Sequence, residues 1–222
     1  MIETTALLSA LNLLDLAAVV VFAVTGALVA SRKEMDIFGF SLLGTVTGVG
    51  GGSIRDVLLG QTPVFWVKEP TYIVLCVAAS IVVFFTAHLA HSRYQVLLWL
   101  DCLGLSMVAV LGAERGLAAD AGPLIAVVMG VITATFGGII RDILGAESPL
   151  VLRKEVYVTA ALIGAALYVG AGGMGISKFA AGLVGFAGCF AVRAMAITWH
   201  WSLPPYKSRP GRTASELDKL GL

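Results

Sequence analysis

Residues 48–56 read GVGGGSIRD, and residues 134–142 read ATFGGIIRD. Each stretch lies in a long apolar segment, and the two begin 86 residues apart. Both place glycines and then an Arg-Asp pair within hydrophobic sequence, where charged residues are costly and rare. These two stretches decide the fold, because they predict one structural unit that is used twice.

The match between the two halves extends well beyond these stretches. Residues 14–69 and 100–155 align without a gap and share 17 identities in 56 positions. Some identities are expected by chance, because both segments are built from few types of apolar residue. Chance matching of apolar residues does not explain the identities at polar residues, proline and glycine. They pair Asp15 with Asp101, Gly26 with Gly112, Thr47 with Thr133, Arg55-Asp56 with Arg141-Asp142, Pro63 with Pro149, and Lys68-Glu69 with Lys154-Glu155. We infer an internal repeat.

The composition indicates a membrane protein. The 222 residues are 58% hydrophobic and only 13% charged, against about 25% charged in average soluble domains. Four long runs contain no charged residue, namely 37–54, 70–92, 121–140 and 156–177, and about 20 apolar residues suffice to cross a bilayer. The long uncharged runs exclude a soluble enzyme. They also exclude a nucleic-acid-binding protein, which needs a basic face.

We predict an all-α membrane domain over residues 1–200 with seven spans, followed by a polar tail over 201–222. The spans are 11–31, 37–60, 70–90, 95–115, 121–145, 155–174 and 178–200. Each repeat, about 11–92 and 95–176, holds three spans, and three is odd. The second repeat therefore enters the membrane from the opposite side, which makes the repeat inverted. The seventh span lies outside it.

Lysine and arginine positions predict the orientation. With the N-terminus outside, the inner segments carry nine Lys and Arg residues and the outer loops carry three. The excess of positive charge marks the cytoplasmic side. We expect the N-terminus outside and the C-terminus in the cytoplasm.

The glycine stretches are the candidate pathway. Paired glycine-interrupted spans in two inverted halves indicate a permeation or binding site, so we predict kinks in spans 2 and 5. Close packing of helices on small residues is the alternative. Phe136 replaces the first glycine of the second triplet, and it is either a constriction or an ordinary packing residue. The predicted kink residues are Gly48, Gly50, Gly51, Gly52, Phe136, Gly137 and Gly138.

Six charged residues lie in or near the predicted spans. Such residues usually face a protein interior or a wet cavity. We predict two symmetric pairs, Asp15 with Arg55 and Asp101 with Arg141, either lining a pore or joining helices structurally. Adjacent helical residues do not face each other, so Asp56 and Asp142 should find partners elsewhere.

Hydroxyl groups near the glycines add candidate oxygen ligands, from Thr47, Ser53, Thr133 and Thr135. Lys68 and Lys154 follow prolines at the predicted turns, and either start the next helices or contact ions or lipid phosphate. No arrangement of side chains supports catalysis or a tightly bound metal ion. We therefore expect no enzyme activity and no cofactor.

A 3+3+1 membrane chain with GGGxxRD in span 2 and GGxxRD in span 5 resembles the prokaryotic trimeric intracellular cation (TRIC) channels. This group is also described as a glycine-transporter or uncharacterised membrane protein family. The resemblance covers residues 12–200. It implies a homotrimer in the prokaryotic plasma membrane, with a pore in each subunit between the two repeats, and transient passage of K+ and, less favoured, Na+.

Three functional hypotheses follow. The first is a K+-permeable cation channel, in which carbonyl groups exposed at the two breaks replace part of the ion's hydration shell. The second is a secondary transporter of a small solute such as glycine, because inverted repeats with broken helices also serve alternating access. The third is a structural or regulatory membrane subunit.

Overall fold

Eight α-helices make up almost all of the described chain. The computed structural model describes residues 2–153, 155–204, 206 and 211, and for residues 2–12 only the backbone. The helices are α1 (Ile2–Arg32), α2 (Ile37–Leu58), α3 (Phe65–Lys68), α4 (Thr71–Thr86), α5 (Arg93–Ala118), α6 (Pro123–Leu144), α7 (Val158–Gly173) and α8 (Lys178–Trp199). Short 3-10 helices follow α4 at Ala87–Leu89 and precede α7 at Leu150–Leu152.

The seven predicted spans correspond to these helices, with α3 as a short helix in the loop between α2 and α4. Six segments of the described chain are long and apolar enough to cross a membrane, and the shorter apolar helix α7 is the seventh candidate. Helix α1 begins at Ile2, before the predicted start at residue 11. The predicted tail lies mostly outside the described residues, at 205, 207–210 and 212–222.

Local sequence signals set the starts of several helices. The Asp36 carboxylate accepts a hydrogen bond from the Gly39 amide (2.8 Å) at the start of α2. Ser92 precedes α5 and Ser177 precedes α8, and their hydroxyl oxygens accept hydrogen bonds from the amides of Gln95 and Ala180 in the same way. A side-chain oxygen at this position satisfies one of the amides that a helix start leaves without a partner.

The helices form two triplets that pack against each other. The first consists of α1, α2 and α4, and the second of α5, α6 and α7; α1 packs on α5, and α2 on α6. The additional helix α8 packs on α5 and α7. The outward faces are apolar: Phe38 and Leu124, at corresponding positions of the repeats, are 79% and 76% exposed. Large apolar side chains on the outside suit a bilayer environment.

Candidate functional site: the crossing of α2 and α6

Helices α2 and α6 cross where the two glycine stretches meet. A Cβ atom added to Gly137 would lie 2.5 Å from the main-chain oxygen of Thr47, and one added to Gly51 would overlap the main-chain oxygen of Thr133. The contact is reciprocal, because Thr47 corresponds to Thr133 and Gly51 to Gly137 in the repeat. Membrane helices approach this closely only on small residues. The crossing itself therefore requires both glycines.

The predicted breaks are not present in these helices. Helix α2 is continuous over Ile37–Leu58 and α6 over Pro123–Leu144, through both glycine stretches. Each glycine weakens a helix by about 1 kcal/mol relative to Ala, but close packing on both sides favours the helical backbone here. The two helices therefore have no break at which main-chain carbonyl groups would be exposed. A bend without a break stays a prediction.

A small cavity, lined in part by polar side chains, lies beside the crossing. Its volume is about 20 Å³, which is room for about one water molecule. Helices α1, α2, α5 and α6 and the aromatic ring of Phe65 enclose it. Its lining includes eight of the predicted site residues, namely Asp15, Thr47, Gly48, Gly51, Gly52, Arg55, Thr133 and Gly137.

Other predicted site residues lie outside the lining of this cavity. Gly50 faces Ile140, whose Cδ1 would lie 3.0 Å from an added Cβ. Ser53 accepts a hydrogen bond from the Trp66 indole (2.9 Å). Phe136 is half-buried and is not part of the lining of this cavity. Six further predicted residues also lie outside the lining of this cavity, namely Asp56, Thr135, Gly138, Asp101, Arg141 and Asp142.

Arg141 is the centre of a buried charge cluster in the second repeat. Its side chain is fully buried, and its Nη1 donates to Asp101 Oδ1 at 2.7 Å and to Thr25 Oγ1 at 3.0 Å. Its Nε donates to Asp142 Oδ1 at 2.8 Å. The predicted pair of Asp101 and Arg141 is therefore present. Arg141 joins α6 to both α1 and α5.

The corresponding pair in the first repeat is absent. Arg55 does not bind Asp15; its Nε and Nη2 donate to Asp56 Oδ1 at 3.0 and 2.8 Å, and its guanidinium lies 5.7 Å from the centre of the Phe65 ring. The expectation that adjacent Arg and Asp residues do not face each other was wrong in both repeats, because the long arginine side chain folds back onto its neighbour. The expectation that Asp56 and Asp142 find partners elsewhere was confirmed, since each also accepts a hydrogen bond from a loop amide.

Asp15 has two other partners at the cavity. Its Oδ2 accepts a hydrogen bond from the Tyr72 hydroxyl at 3.0 Å and lies 3.5 Å from Arg115 Nη2. The Arg115 side chain is 45% exposed, whereas Arg141 is completely buried. The first repeat thus carries a looser and more accessible ion pair than the second.

Asp56 and Asp142 each fasten a loop to the end of a helix. Their Oδ2 atoms accept hydrogen bonds from the amides of Phe65 (2.8 Å) and Leu150 (2.9 Å). These two amides are 85 residues apart, not 86. The structurally equivalent amides are thus shifted by one residue from the 86-residue match of the sequence. The same one-residue shift relates Tyr72 to Tyr157, whose hydroxyl faces Gly138 beside Asp101.

Sequence reasoning missed several residues of the site, namely Thr25, Tyr72, Arg115, Tyr157 and Arg193. Arg193, on α8, is fully buried; its Nη2 donates to Glu155 at 2.7 Å and its guanidinium lies 5.1 Å from the centre of the Tyr157 ring. An arginine inside a predicted span signals a nearby partner. The two tyrosines carried a weaker signal, an 85-residue spacing just after the aligned region.

The structure describes one of the two predicted lysines. Lys68 ends α3 and is exposed, and Lys154 lies outside the described residues. Among the described residues, no group of His, Cys, Asp and Glu side chains is arranged to hold a metal ion.

The fold and its site define an all-helical, multi-pass integral membrane protein. The family model described as "Glycine transporter" matches residues 12–88 and 98–172. The chain is 42% identical over 205 residues to the UPF0126 membrane protein of Vibrio cholerae, covering 92% of this chain and 86% of that protein. It is 41% identical over 198 residues to the UPF0126 inner membrane protein YadS of Escherichia coli K12, covering 87% and 94%.

A solved structure is more similar still. The crystal structure of the TRIC trimeric intracellular cation channel orthologue from Rhodobacter sphaeroides is 57% identical, with a TM-score of 0.85, covering 87% of this chain and 100% of that one. The chain belongs to the prokaryotic TRIC family, which the glycine-transporter model also describes.

Proposed function

We propose that this protein is a K+-permeable channel for monovalent cations, with a pathway in each subunit between α2 and α6. The observation that carries the proposal is the cavity at the crossing of the two repeats, lined in part by Asp15, Arg55, Thr47 and Thr133. Polar residues inside a membrane domain usually mark an ion or substrate pathway. The description of the Rhodobacter relative as a cation channel supports the same function.

The oxygen ligands in this proposal differ from those expected of a broken helix. The helices are continuous, so main-chain carbonyl groups stay in helical hydrogen bonds. Thr47 and Thr133 line the cavity, and their hydroxyls donate to Leu43 O and Met129 O. Each hydroxyl keeps acceptor capacity. With the Asp15 carboxylate, these oxygens would replace part of the hydration shell of a passing cation.

The observed arrangement corresponds to a closed pathway in this proposal. A space for about one water molecule does not form a continuous route across a membrane about 30 Å thick. Conduction requires α2 and α6 to separate, or to bend, at Gly51 and Gly137. The glycine crossing would then be the place where the pathway opens.

The wider setting is also part of the proposal. We propose a homotrimer, with the N-terminus outside and the C-terminus in the cytoplasm, in a bacterial inner membrane. The Rhodobacter relative is described as trimeric, YadS is named an inner membrane protein, and the bias of Lys and Arg supports this orientation. Lys68 and Lys154 remain candidates for contact with ions or lipid phosphate.

The alternative is a secondary transporter of glycine or a similar small solute. The description of the matching family model favours it, and an inverted repeat is compatible with alternating access. A transporter would move its substrate at a saturable rate and would show no unitary current.

Recording from planar bilayers that contain the purified protein tests the proposal. We expect discrete currents that reverse near the K+ equilibrium potential. Silent bilayers, together with saturable uptake of labelled glycine into liposomes containing the same preparation, would overturn it. Thr47→Val removes the hydroxyl of a residue that lines the cavity, and Thr135→Val is the matched control away from it.

A further inference from the structure

A second cavity lies away from the crossing of α2 and α6. It is a groove of about 420 Å³ on the outside of the second triplet. Its walls are two stripes of residues on α5 and α8, and its ends include one residue each from α1 and α7. We call it the α5–α8 groove.

The walls of the α5–α8 groove are apolar along nearly their whole length. Helix α5 contributes Leu103, Met107, Val110, Leu111 and Glu114, which follow helical spacing along one face. Helix α8 contributes Lys178, Phe179, Gly182, Leu183 and Phe186. Gly182 leaves the groove wide here, because a Cβ added to it would meet only Val110 Cγ1, at 3.9 Å.

The polar groups of the groove are gathered at one end. Lys178 Nζ donates to Glu114 Oε1 at 2.7 Å, and the Tyr168 hydroxyl donates to Glu114 Oε2. The Lys178 side chain is 63% exposed and is the first residue of α8. The end of a long helix that carries free amides favours an anionic group. Tyr168 uses its one hydroxyl proton on Glu114, whereas the exposed Lys178 ammonium keeps two further N–H donors at this end of the groove, beside the Glu114 carboxylate.

We propose that the α5–α8 groove binds one acyl chain of a glycerophospholipid, with the phosphate next to Lys178. The groove extends from Leu103 to Glu114, which is about 16 Å of helix. Half of a hydrocarbon core about 30 Å thick is about 15 Å. The groove thus matches one leaflet in length, with its polar end at the helix ends and its apolar end near the bilayer centre.

Packing gives the physical reason for binding. Lipid tails are as apolar as the groove, so an acyl chain gains no hydrophobic free energy by moving from the bilayer into the groove. An unfilled groove would leave its walls without dispersion contacts, and water does not fill an apolar space. An acyl chain restores these contacts, and the phosphate adds a charge-assisted hydrogen bond to Lys178.

Native mass spectrometry of the intact assembly tests this site. The assembly is released from detergent containing dioleoylphosphatidylglycerol, and the bound lipids per chain are counted. We expect Gly182→Trp, which fills the groove, to retain several-fold less lipid than the unaltered protein. Gly170→Trp is the matched control, because Gly170 on α7 is exposed, has no neighbouring atom within 4 Å of an added Cβ and lies outside the groove.

Each result decides the proposal. Equal lipid retention by Gly182→Trp and Gly170→Trp would overturn it. A change of subunit number in Gly182→Trp alone would also overturn it, because the groove would then hold a second copy of the chain. Gly182→Leu provides the same test if the Trp variant does not fold. Lys178→Gln should also lower retention, and unchanged retention would exclude the phosphate contact.

Discussion

Gly137 on α6 lies directly against the main-chain oxygen of Thr47 on α2, so that an added Cβ atom would come within 2.5 Å of it. Thr133 and Gly51 make the reciprocal contact from the other helix. At the centre of the protein, the main chain of α2 therefore packs directly against the main chain of α6. Any added side chain at Gly51 or Gly137 must push the helices apart.

The first prediction concerns this crossing. Gly51→Ala and Gly137→Ala should each destabilise the protein by about 1–3 kcal/mol, the usual cost of overpacking. Gly172→Ala is the control, because a Cβ at Gly172 meets no atom within 4 Å. Thermal unfolding of the purified variants in detergent measures the effect. Midpoints for Gly51→Ala and Gly137→Ala at or above that of Gly172→Ala would contradict the role given to the crossing.

The second prediction separates the two ion pairs. Asp101→Asn removes the negative charge that pairs with the fully buried Arg141 guanidinium. Breaking a buried ion pair in this way costs about 3–5 kcal/mol. Asp15→Asn should cost less, because the Arg115 partner is half-exposed. A double-mutant cycle for Asp101→Asn and Arg141→Gln should be strongly non-additive. The cycle for Asp15→Asn and Arg55→Gln should be nearly additive, and strong coupling in it would contradict the structure.

The third prediction concerns the loop anchors. Asp142→Ala removes the acceptor of the Leu150 amide and one partner of Arg141. We expect the loop that contains Arg153 to be cut faster by trypsin in detergent. Ser177→Ala, which removes an exposed helix cap at the start of α8, should leave the rate of cleavage at Arg153 unchanged, because α8 contacts this loop near its other end, through Arg193 and Glu155. Equal cleavage rates in the two variants would show that Asp142 does not hold this loop.

The fourth prediction concerns conduction and depends on the proposed channel. Thr133→Val keeps the side-chain shape but removes the hydroxyl of a residue that lines the cavity. We expect a lower unitary conductance for K+ with an unchanged thermal midpoint, measured in planar bilayers beside the unaltered protein. Thr135→Val should conduct normally, because Thr135 donates to Val131 O and lies outside the cavity lining. A normal conductance in Thr133→Val would remove Thr133 from the proposed pathway.

Much of the architecture was readable from the chain itself. The number of spans, the two triplets and the buried position of Arg141 all followed from hydropathy and from an 86-residue repeat. These features follow from the spacing of apolar residues and from the free-energy cost of placing a charged side chain in lipid. The positions of apolar and charged residues can be read from the sequence alone. The pair of Asp101 and Arg141 could be predicted because both residues recur in the repeat.

Only the tertiary structure decided how the charges pair and what the glycines do. Arg55 contacts Asp56, and Asp15 contacts Tyr72 and Arg115. Side-chain torsions and loop lengths set these contacts, and the residue spacing of a repeat does not specify them. A run of glycines is compatible with a broken helix and with a close crossing. The choice was made by what faces them, the carbonyl of Thr47 and that of Thr133, and a contact between two helices 86 residues apart exists only after the chain has folded.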